Sequence, residues 1–178
     1  NKFIAASEKG RLRFQLGQSD RFKLGIFYSG RYMEEMERIF ALYNLPKELT
    51  RIPFVESSFN IKARSKVGAS GIWQFMRGAG KEYMKVNNIV DERNDPLTAT
   101  HAAAKKLKSN YQILKSWPLA ITAYNHGVYG MKRIVDKYQS TELFDYIGKK
   151  PTSRFGFASE SFYATFLAAV EVEKNAEK

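Results

Sequence analysis

Positions 45–60 read LPKELTRIPFVESSFN, and the architecture can be worked out from this segment toward both ends of the chain. Its apolar residues recur every three or four positions, as on one face of an α-helix: Leu49, Ile52, Val55 and Phe59. Pro46 suits the first turn of such a helix, whereas Pro53 lies inside it and removes a backbone hydrogen bond. The segment therefore predicts a bent, largely apolar helix that ends close to Glu56.

Helical patterns extend to both sides of this segment. We predict further helices over residues 31–43, 98–114, 119–124, 128–138 and 159–174. Ser29 is placed to cap the first of them, and Asp95 with Pro96 to begin the second. Residues 60–70 are expected to form an irregular basic loop, and no alternating pattern is long enough to predict a strand. The fold class is therefore mainly α.

The N-terminal part differs in character from the rest. Residues 11–28 mix basic and aromatic side chains without a sustained helical period, which we interpret as an arm that packs on a domain. We expect an N-terminal helical arm over residues 1–45 and a folded helical domain over residues 46–178. The 178 residues, of which 44% are hydrophobic and 14% aromatic, provide enough material for one core.

The charge balance is strongly basic, with 29 Lys and Arg against 18 Asp and Glu and a formal charge of +11. Such a field attracts polyanions, but nucleic acid, acidic lipid and a carboxylate-bearing cell wall all remain open. The absence of cysteine excludes disulfide scaffolds, thiolate zinc sites and cysteine nucleophiles. No apolar run approaches the roughly 20 residues of a transmembrane segment. The first residues lack the layout of a signal peptide, so an exported protein would be present in its processed form.

Glu56 differs from the other acidic residues in its surroundings. Apolar residues 52–55 precede it, and two hydroxyl residues follow it. Partial burial of this carboxyl without a neighbouring cation would raise its pKa, as a general acid requires at neutral pH. The alternative is a carboxylate that caps a loop or forms an ion pair with Arg51 or Arg64.

Three ordered blocks begin at Glu56. They read ESSFN at 56–60, A-x-S-x-x-GA-x-GIWQFM at 63–76 and AYN-x-G at 123–127. These blocks resemble the catalytic domains of soluble lytic transglycosylases and goose-type lysozymes, and particularly the membrane-bound murein transglycosylase D branch. The resemblance covers about residues 30–138, with a weaker continuation to 173.

This resemblance implies a lysozyme-like helical domain with a glycan-binding cleft. The implied activity is lytic cleavage of peptidoglycan at the β-1,4 bond between N-acetylmuramic acid (MurNAc) and N-acetylglucosamine (GlcNAc). Glu56 would act as the single general acid/base and leave a 1,6-anhydro-MurNAc end, with the substrate's own acetamido group stabilising the cationic sugar. The resemblance implies no metal and no cofactor, and we expect a monomer in the periplasm or cell envelope. We expect no nucleic-acid partner, because the Lys and Arg residues are scattered and no nucleic-acid-binding signature is present.

The resemblance also carries substrate-binding roles onto this sequence, at Ser57, Ser70, Gly71, Gln74, Phe75, Tyr124, Asn125 and Tyr163. Gln74 offers both a donor and an acceptor for sugar hydroxyls and acetamides. Gly71 is expected to let the backbone approach the glycan, and Tyr124 to orient Glu56 through its hydroxyl.

Several of these residues have structural alternatives. Phe75 and Trp73, two positions before it, have two alternatives: each ring either stacks on a sugar face or belongs to the core. Ser57 binds the sugar or satisfies backbone groups at a helix end, and Asn125 binds substrate or stops a helix. The sequence departs from the family pattern at Arg77, where proline is customary.

Two other functions remain open from the sequence. Lysozyme-type hydrolysis on the same fold, including hydrolysis of modified peptidoglycan, would need a second carboxylate to place water. Asp91 and Asp95 are the candidates for that carboxylate, and their alternatives are an ion pair with Arg93 and a helix cap. The remaining function is that of a non-catalytic glycan-binding module.

In the family motif near the C-terminus, Tyr163 falls one place early.

Overall fold

The structure is a computed structural model that describes residues 18–176. The α-helices in this part of the chain are α1 (Ser19–Ser29), α2 (Met33–Leu42), α3 (Ile52–Glu56), α4 (Arg77–Lys81), α5 (Pro96–Leu114), α6 (Trp117–His126), α7 (Val128–Tyr138) and α8 (Phe157–Lys174). Short 3-10 helices lie between them at Lys47–Arg51, Glu92–Asn94 and Leu143–Asp145. Between residues 18 and 176, β pairing is limited to isolated bridges, so the prediction of a mainly α fold is confirmed.

The longest of these helices, α5, lies at the centre of the fold. Asp95 Oδ1 accepts a hydrogen bond from the Thr98 backbone N–H at 2.6 Å, and Pro96 occupies the first turn, as predicted. Helices α2, α6 and α7 pack on α5, whose alanines at positions 99 and 102–104 are buried. These small side chains let the neighbouring helices approach closely.

Two clusters of buried side chains stabilise the fold. The first surrounds Trp73, whose indole N–H donates to Thr100 Oγ1 at 2.8 Å, and it joins α2, α3, α5 and α8. The second includes Met131, Tyr146 and Phe155 and holds α6 and α7 together. Helix α8 packs on both α3 and α6, so it holds the short α3 against the first cluster.

The segment at 45–60 forms two helical pieces rather than one bent helix. A 3-10 helix covers Lys47–Arg51, and α3 continues from Ile52 to Glu56. Pro53 lies in the first turn of α3, where a backbone N–H has no partner within the helix, so its absence breaks no helical bond. The predicted bend inside a continuous helix was wrong, whereas the helix end at Glu56 is confirmed.

The residues upstream of α2 form a helix that packs beside α3. Phe22 of α1 stacks on Phe54, with 4.9 Å between the ring centroids. Ser29 is the last residue of α1 and donates its hydroxyl to the Ile26 carbonyl, so the prediction that it caps α2 was wrong. The part of the expected arm before residue 18 lies outside the described residues, and its boundary at residue 45 stays a prediction.

Arg51 links three elements of the fold. Its guanidinium forms ion pairs with Glu37 of α2 and with Glu173 of α8, the latter at an N–O distance of 3.1 Å. Only 13% of the Arg51 side chain is exposed, so water screens these pairs poorly. The arrangement ties the 3-10 helix before α3 to the helices on either side of it.

Candidate active site

Glu56 lies in the wall of a cleft of about 1090 Å³. One side of the cleft is formed by α1 and the turn after it, and the other by residues 55–64 together with Gln74. Of the predicted site residues, Glu56, Ser57 and Gln74 line this cleft. Among the cleft residues within the described chain, Glu56 is the only acidic one.

The chain turns sharply after Glu56. Ser58 and Phe59 have φ angles of 50° and 56°, in the left-handed region that residues other than glycine rarely adopt. The backbone N–H groups of Ser57 and Phe59 both donate to the Pro53 carbonyl, which closes the end of α3. Such conformations cost on the order of 1–3 kcal/mol each and cluster at functional sites. This turn places the residues after Glu56 along the same cleft.

The carboxyl of Glu56 is poised to exchange a proton near neutral pH. Burial raises its pKa and the charge of Lys106 lowers it in part, which leaves a pKa of about 7. In the described chain no basic group lies within 4.0 Å of this carboxyl. Arg51, which was considered as an ion-pair partner of Glu56, forms ion pairs with Glu37 and Glu173 instead. A carboxyl with this pKa exists in both protonation states at neutral pH, so it can give and take a proton.

Lys106 carries a positive charge that acts on the pKa of Glu56, and the sequence reasoning missed it. Its Nζ donates to the Tyr124 carbonyl at 3.1 Å and lies 4.0 Å from the centroid of the Tyr124 ring. Burial is the main reason that its pKa is lowered to about 8. The condition set for a raised pKa, burial of Glu56 without a cation, is therefore met only in part, because the charge of Lys106 offsets some of the effect of burial.

A signal for Lys106 was present in the sequence. The buried face of α5 repeats at helical spacing through residues 99, 102, 103, 107 and 110, and position 106 falls within that repeat. A lysine inside an apolar stripe is rarely left in the interior without a role. Its position beside Tyr124, however, depends on how α5 packs in the fold.

Ser57 and Gln74 line the cleft but are anchored to the backbone. The Ser57 hydroxyl donates to the Ile72 carbonyl at 2.9 Å, which is the structural alternative considered for it. The Gln74 side-chain amide donates to the Gly71 carbonyl at 2.7 Å and to the Ala63 carbonyl at 3.2 Å. Both side chains keep an oxygen that can accept a hydrogen bond from a ligand in the cleft.

Ser70 and Gly71 do not line the cleft. The Ser70 hydroxyl donates to Asn94 Oδ1 at 2.7 Å. Gly71 has a φ of +76°, and a Cβ atom there would lie 1.8 Å from the Arg93 carbonyl oxygen, so this glycine permits a close approach to Arg93 rather than to a glycan. Arg93 is buried and donates to the Gly68 and Phe75 carbonyls at 2.8 and 2.9 Å, which makes this loop a rigid support for Gln74.

The aromatic residues of the motifs belong to the core. Phe75 is 2% exposed and Trp73 is fully buried, so of the two alternatives left open for these rings the structure supports the core. The Tyr124 hydroxyl donates to the Trp73 carbonyl at 2.8 Å instead of to Glu56. Tyr124 therefore holds the backbone at Trp73 and does not orient Glu56 through its hydroxyl.

Asn125 and Tyr163 also lie away from the cleft. Asn125 Oδ1 accepts a hydrogen bond from the Ser159 hydroxyl at 3.2 Å, which joins the end of α6 to α8. Tyr163 is half-buried and packs against both core clusters. Their substrate-binding roles stay predictions that the geometry of the cleft does not support.

Asp91 and Asp95 have the structural roles that were weighed against a catalytic one. Asp91 forms an ion pair with Arg93 at 2.7 Å, which holds the pKa of that carboxyl below its usual range. Asp95 caps α5. Neither lines the cleft, so neither is placed to act with Glu56 as a second carboxylate.

The walls of the cleft are basic. Exposed cationic side chains occur on both sides of it, at Arg21, Arg31, Lys62 and Arg64. Within residues 18–176 none of the four forms an ion pair with a carboxylate. The cleft therefore presents a positive field to an approaching polymer.

The fold is helical, and among the described residues its cleft holds one carboxyl, that of Glu56. The chain belongs to the Transglycosylase SLT domain family, whose model matches residues 37–147. The residues of α1 that line the cleft lie outside this matched region.

Relatives and solved structures agree with this assignment. The membrane-bound lytic murein transglycosylase D of Escherichia coli K12 is 37% identical over 86 residues, which are 47% of this chain and 19% of that protein. An Alteromonas protein named for tributyltin chloride resistance is 35% identical over 86 residues, covering 47% of this chain and 42% of its own length. The chain thus matches less than half of the length of either relative.

The likeness in fold extends over nearly the whole chain. The X-ray structure of an inactive mutant of the lytic transglycosylase Slt from Pseudomonas aeruginosa covers 99% of this chain, with a TM-score of 0.62 and 17% identity. The match uses 27% of that protein. At this identity the likeness concerns the fold, and it confirms the prediction of a lysozyme-like helical domain. Within residues 18–176 no helix is long and apolar enough to cross a bilayer.

Proposed function

We propose that this chain is a peptidoglycan lytic transglycosylase that cleaves the β-1,4 bond between MurNAc and GlcNAc, with Glu56 as its single general acid/base. The observation that carries the proposal is the pKa of about 7 at Glu56, the lone acid among the described residues of the cleft. Relatives named lytic transglycosylases support the substrate class.

In the first step, protonated Glu56 donates its proton to the glycosidic oxygen. The bond between C1 of MurNAc and that oxygen breaks, and GlcNAc leaves with a free 4-hydroxyl. The acetamido carbonyl of the same MurNAc stabilises the positive charge at C1. Burial favours the protonated form of Glu56 before this step, so the acid is ready at the pH of the surroundings.

In the second step, the Glu56 carboxylate accepts the proton of the MurNAc 6-hydroxyl. The oxygen of that hydroxyl then forms a bond to C1, which gives the 1,6-anhydro ring and restores protonated Glu56. No water is consumed, and one side chain serves as acid and then as base.

The number of carboxylates in the cleft favours transglycosylation over hydrolysis. Glycosidases that use two carboxylates place them about 5 to 9.5 Å apart across the scissile bond. In the cleft, as far as the structure describes the chain, Glu56 has no such partner. An intramolecular hydroxyl as nucleophile removes the need for a second carboxylate that positions water.

The basic cleft suits peptidoglycan as the partner. Stem peptides attached to MurNAc carry carboxylates, and the cleft arginines and lysine would attract them. Leu24, Phe27 and Tyr28 of α1 add exposed apolar surface beside these charges. We propose that the enzyme acts on this substrate as a monomer in the periplasm or cell envelope.

Digestion of purified cell walls tests the proposal. Mass spectrometry of the products should give muropeptides with anhydro ends, which are one water lighter than reducing ends. Glu56→Gln should abolish digestion, because the amide has nearly the same shape but no acidic proton to give to the glycosidic oxygen. Reducing ends alone would assign hydrolysis, and digestion by Glu56→Gln at the parent rate would reject Glu56 as the acid.

A further inference from the structure

A second cavity lies where α6 ends and α7 begins. It has a volume of about 380 Å³ and is lined by His126, by residues of α7 that include Arg133, and by the segment 152–154 with Arg154. It shares no lining residue with the cleft of Glu56. Within the described part of the chain no acidic residue lines it.

The two arginines of this cavity have no anionic partner in the fold. Arg133 and Arg154 are exposed, and neither forms an ion pair with a carboxylate among residues 18–176. The guanidinium groups of Arg51 and Arg93, by contrast, are paired within the fold. A guanidinium presents its donors in a planar fork that matches the two oxygens of a carboxylate. Two unpaired guanidinium groups at one cavity therefore favour an anionic ligand.

The imidazole of His126 is held at the wall of this cavity by three contacts. Its Nδ1 lies 3.1 Å from Ser159 Oγ of α8, and its ring meets Phe155 edge to face, with 5.3 Å between the centroids. The ring also lies against Gly130 of α7, where a Cβ atom would be 2.8 Å from Cδ2 and 2.9 Å from Nε2. Glycine at this position leaves room for the ring, and Nε2 lies beside the turn of α7 that lines the cavity.

The hydrogen bonds of Ser159 decide which nitrogen of His126 carries a hydrogen. The Ser159 hydroxyl donates its only hydrogen to Asn125 Oδ1 at 3.2 Å, so toward His126 its oxygen can only accept. In neutral His126 the hydrogen is therefore on Nδ1, and Nε2 is bare. Burial and the charges of Arg133 and Arg154 lower the pKa of His126, which favours this neutral form unless an anion is bound.

We propose that this cavity is a carboxylate-binding site, in which Arg133 and Arg154 bind the carboxylate and Nε2 of His126, protonated as the ligand binds, donates a hydrogen bond to it. The proton comes from water, and no bond of the ligand changes. Because the ligand offsets the two positive charges that oppose protonation, binding and protonation favour each other.

The size of the cavity suits the end of a peptide better than a lone ion. Val128 and Tyr129 also line it, so a ligand can make apolar contacts beside the charged ones. Stem peptides of peptidoglycan carry carboxylates, and the choice of a stem peptide as the ligand rests on the proposed function.

The competing explanation is structural. His126 would then serve only to join the end of α6 to α8 through Ser159, and the imidazole would not respond to anions. Because the chain has two histidines, the imidazole NMR signals of His126 can be assigned by their loss in His126→Gln. The signals of His101 are the internal control.

The test titrates the histidines with a stem tetrapeptide freed from its sugar, with a peptide-free disaccharide of wall glycan and with inorganic phosphate. At saturation the stem peptide should raise the midpoint of His126 by about one pH unit and leave the His101 signals in place. The disaccharide should have no effect, and phosphate should act more weakly at equal concentration. Without ligand, Arg133→Met and Arg154→Met should each raise the His126 midpoint, because each arginine opposes protonation. Each should also abolish the response to the peptide.

Lys137→Met is the matched control, because Lys137 is an exposed lysine of α7 that does not line the cavity. It removes one positive charge and should keep the parent response. A His126 midpoint that does not respond to the stem peptide overturns the proposal, and so does a response that survives in either arginine variant. An equal response to phosphate or to the disaccharide would overturn the assignment to a peptide carboxylate. These titrations need no cleavage of the wall, so their failure and the failure of the proposed function can be told apart.

Discussion

A Cβ atom on Gly25 would lie 3.0 Å from the Ser58 carbonyl oxygen, so α1 touches the turn that follows Glu56. This contact joins a helix outside the family-matched region to the backbone beside the acid. Together with the stacking of Phe22 on Phe54, it fixes α1 as one wall of the cleft.

Gly25→Leu should displace α1 and impair digestion. A larger side chain would collide with backbone atoms that cannot rotate away, so we expect a loss of about 1–3 kcal/mol in the free energy of unfolding and slower wall digestion. Gly30→Ala is the control, since the nearest atom to its added Cβ lies at 3.7 Å. Thermal unfolding and turbidity assays measure both effects, and a Gly25→Leu enzyme that matches the parent in both would refute the role of α1.

Gly71 and Gly68 provide a second matched pair. Both have positive φ, but a Cβ atom at Gly71 would overlap the Arg93 carbonyl, whereas the space around Gly68 is open. Gly71→Ala should therefore prevent correct folding of the loop that carries Gln74, while Gly68→Ala should cost only about 1 kcal/mol of backbone strain. Chemical denaturation of the two variants checks this, and equal losses would contradict the tight packing on Arg93.

Arg51→Met should destabilise the domain without changing the chemistry. It leaves Glu37 and Glu173 close together without their cation, which we expect to cost about 2 kcal/mol or more in the free energy of unfolding. Arg38→Met removes the exposed pairs with Glu34 and Glu35 and should leave the free energy of unfolding nearly unchanged, because water screens exposed pairs. Urea unfolding curves separate the two, and a larger loss for Arg38→Met would disprove the ranking.

Glu56→Gln should change the pH dependence of stability. The pKa of Glu56 rises from 4.5 to about 7 in the folded state, so the stability that the protonated carboxyl contributes is fully present below 4.5 and is lost as pH rises through 7. The variant keeps a neutral side chain throughout. Relative to the parent it should gain up to about 3 kcal/mol across this window. A difference in unfolding free energy that is constant with pH would show that Glu56 is not buried in its charged form.

Local patterns in the sequence predicted much of the fold. Three features depend only on residues close in sequence, and they were predicted correctly. They are the cap at Asp95, the alanine-rich α5 and the helix end at Glu56. The 3-10 helix before α3 was missed because Pro53 fits two positions, the interior of a bent helix and the first turn of a new one.

The candidate site was harder to predict, because it is assembled from distant segments. Whether Phe75 faces a sugar or the core depends on what packs against it, and here Tyr124 and Tyr83 enclose it. Lys106 contacts Tyr124 only because of how α5 packs on α6 in the fold. The part of the cleft wall that α1 forms was equally hard to predict, since the basic and aromatic residues of that segment show no helical period.

The pH dependence of wall digestion tests the central claim most directly. If a single carboxyl with a pKa of about 7 must begin each cycle protonated, kcat/KM should fall about tenfold for each pH unit above that value, and Glu56→Gln should show no activity at any pH. Digestion that stays constant from about pH 6 to about pH 9 would contradict the account, because a deprotonated Glu56 has no proton to give to the glycosidic oxygen.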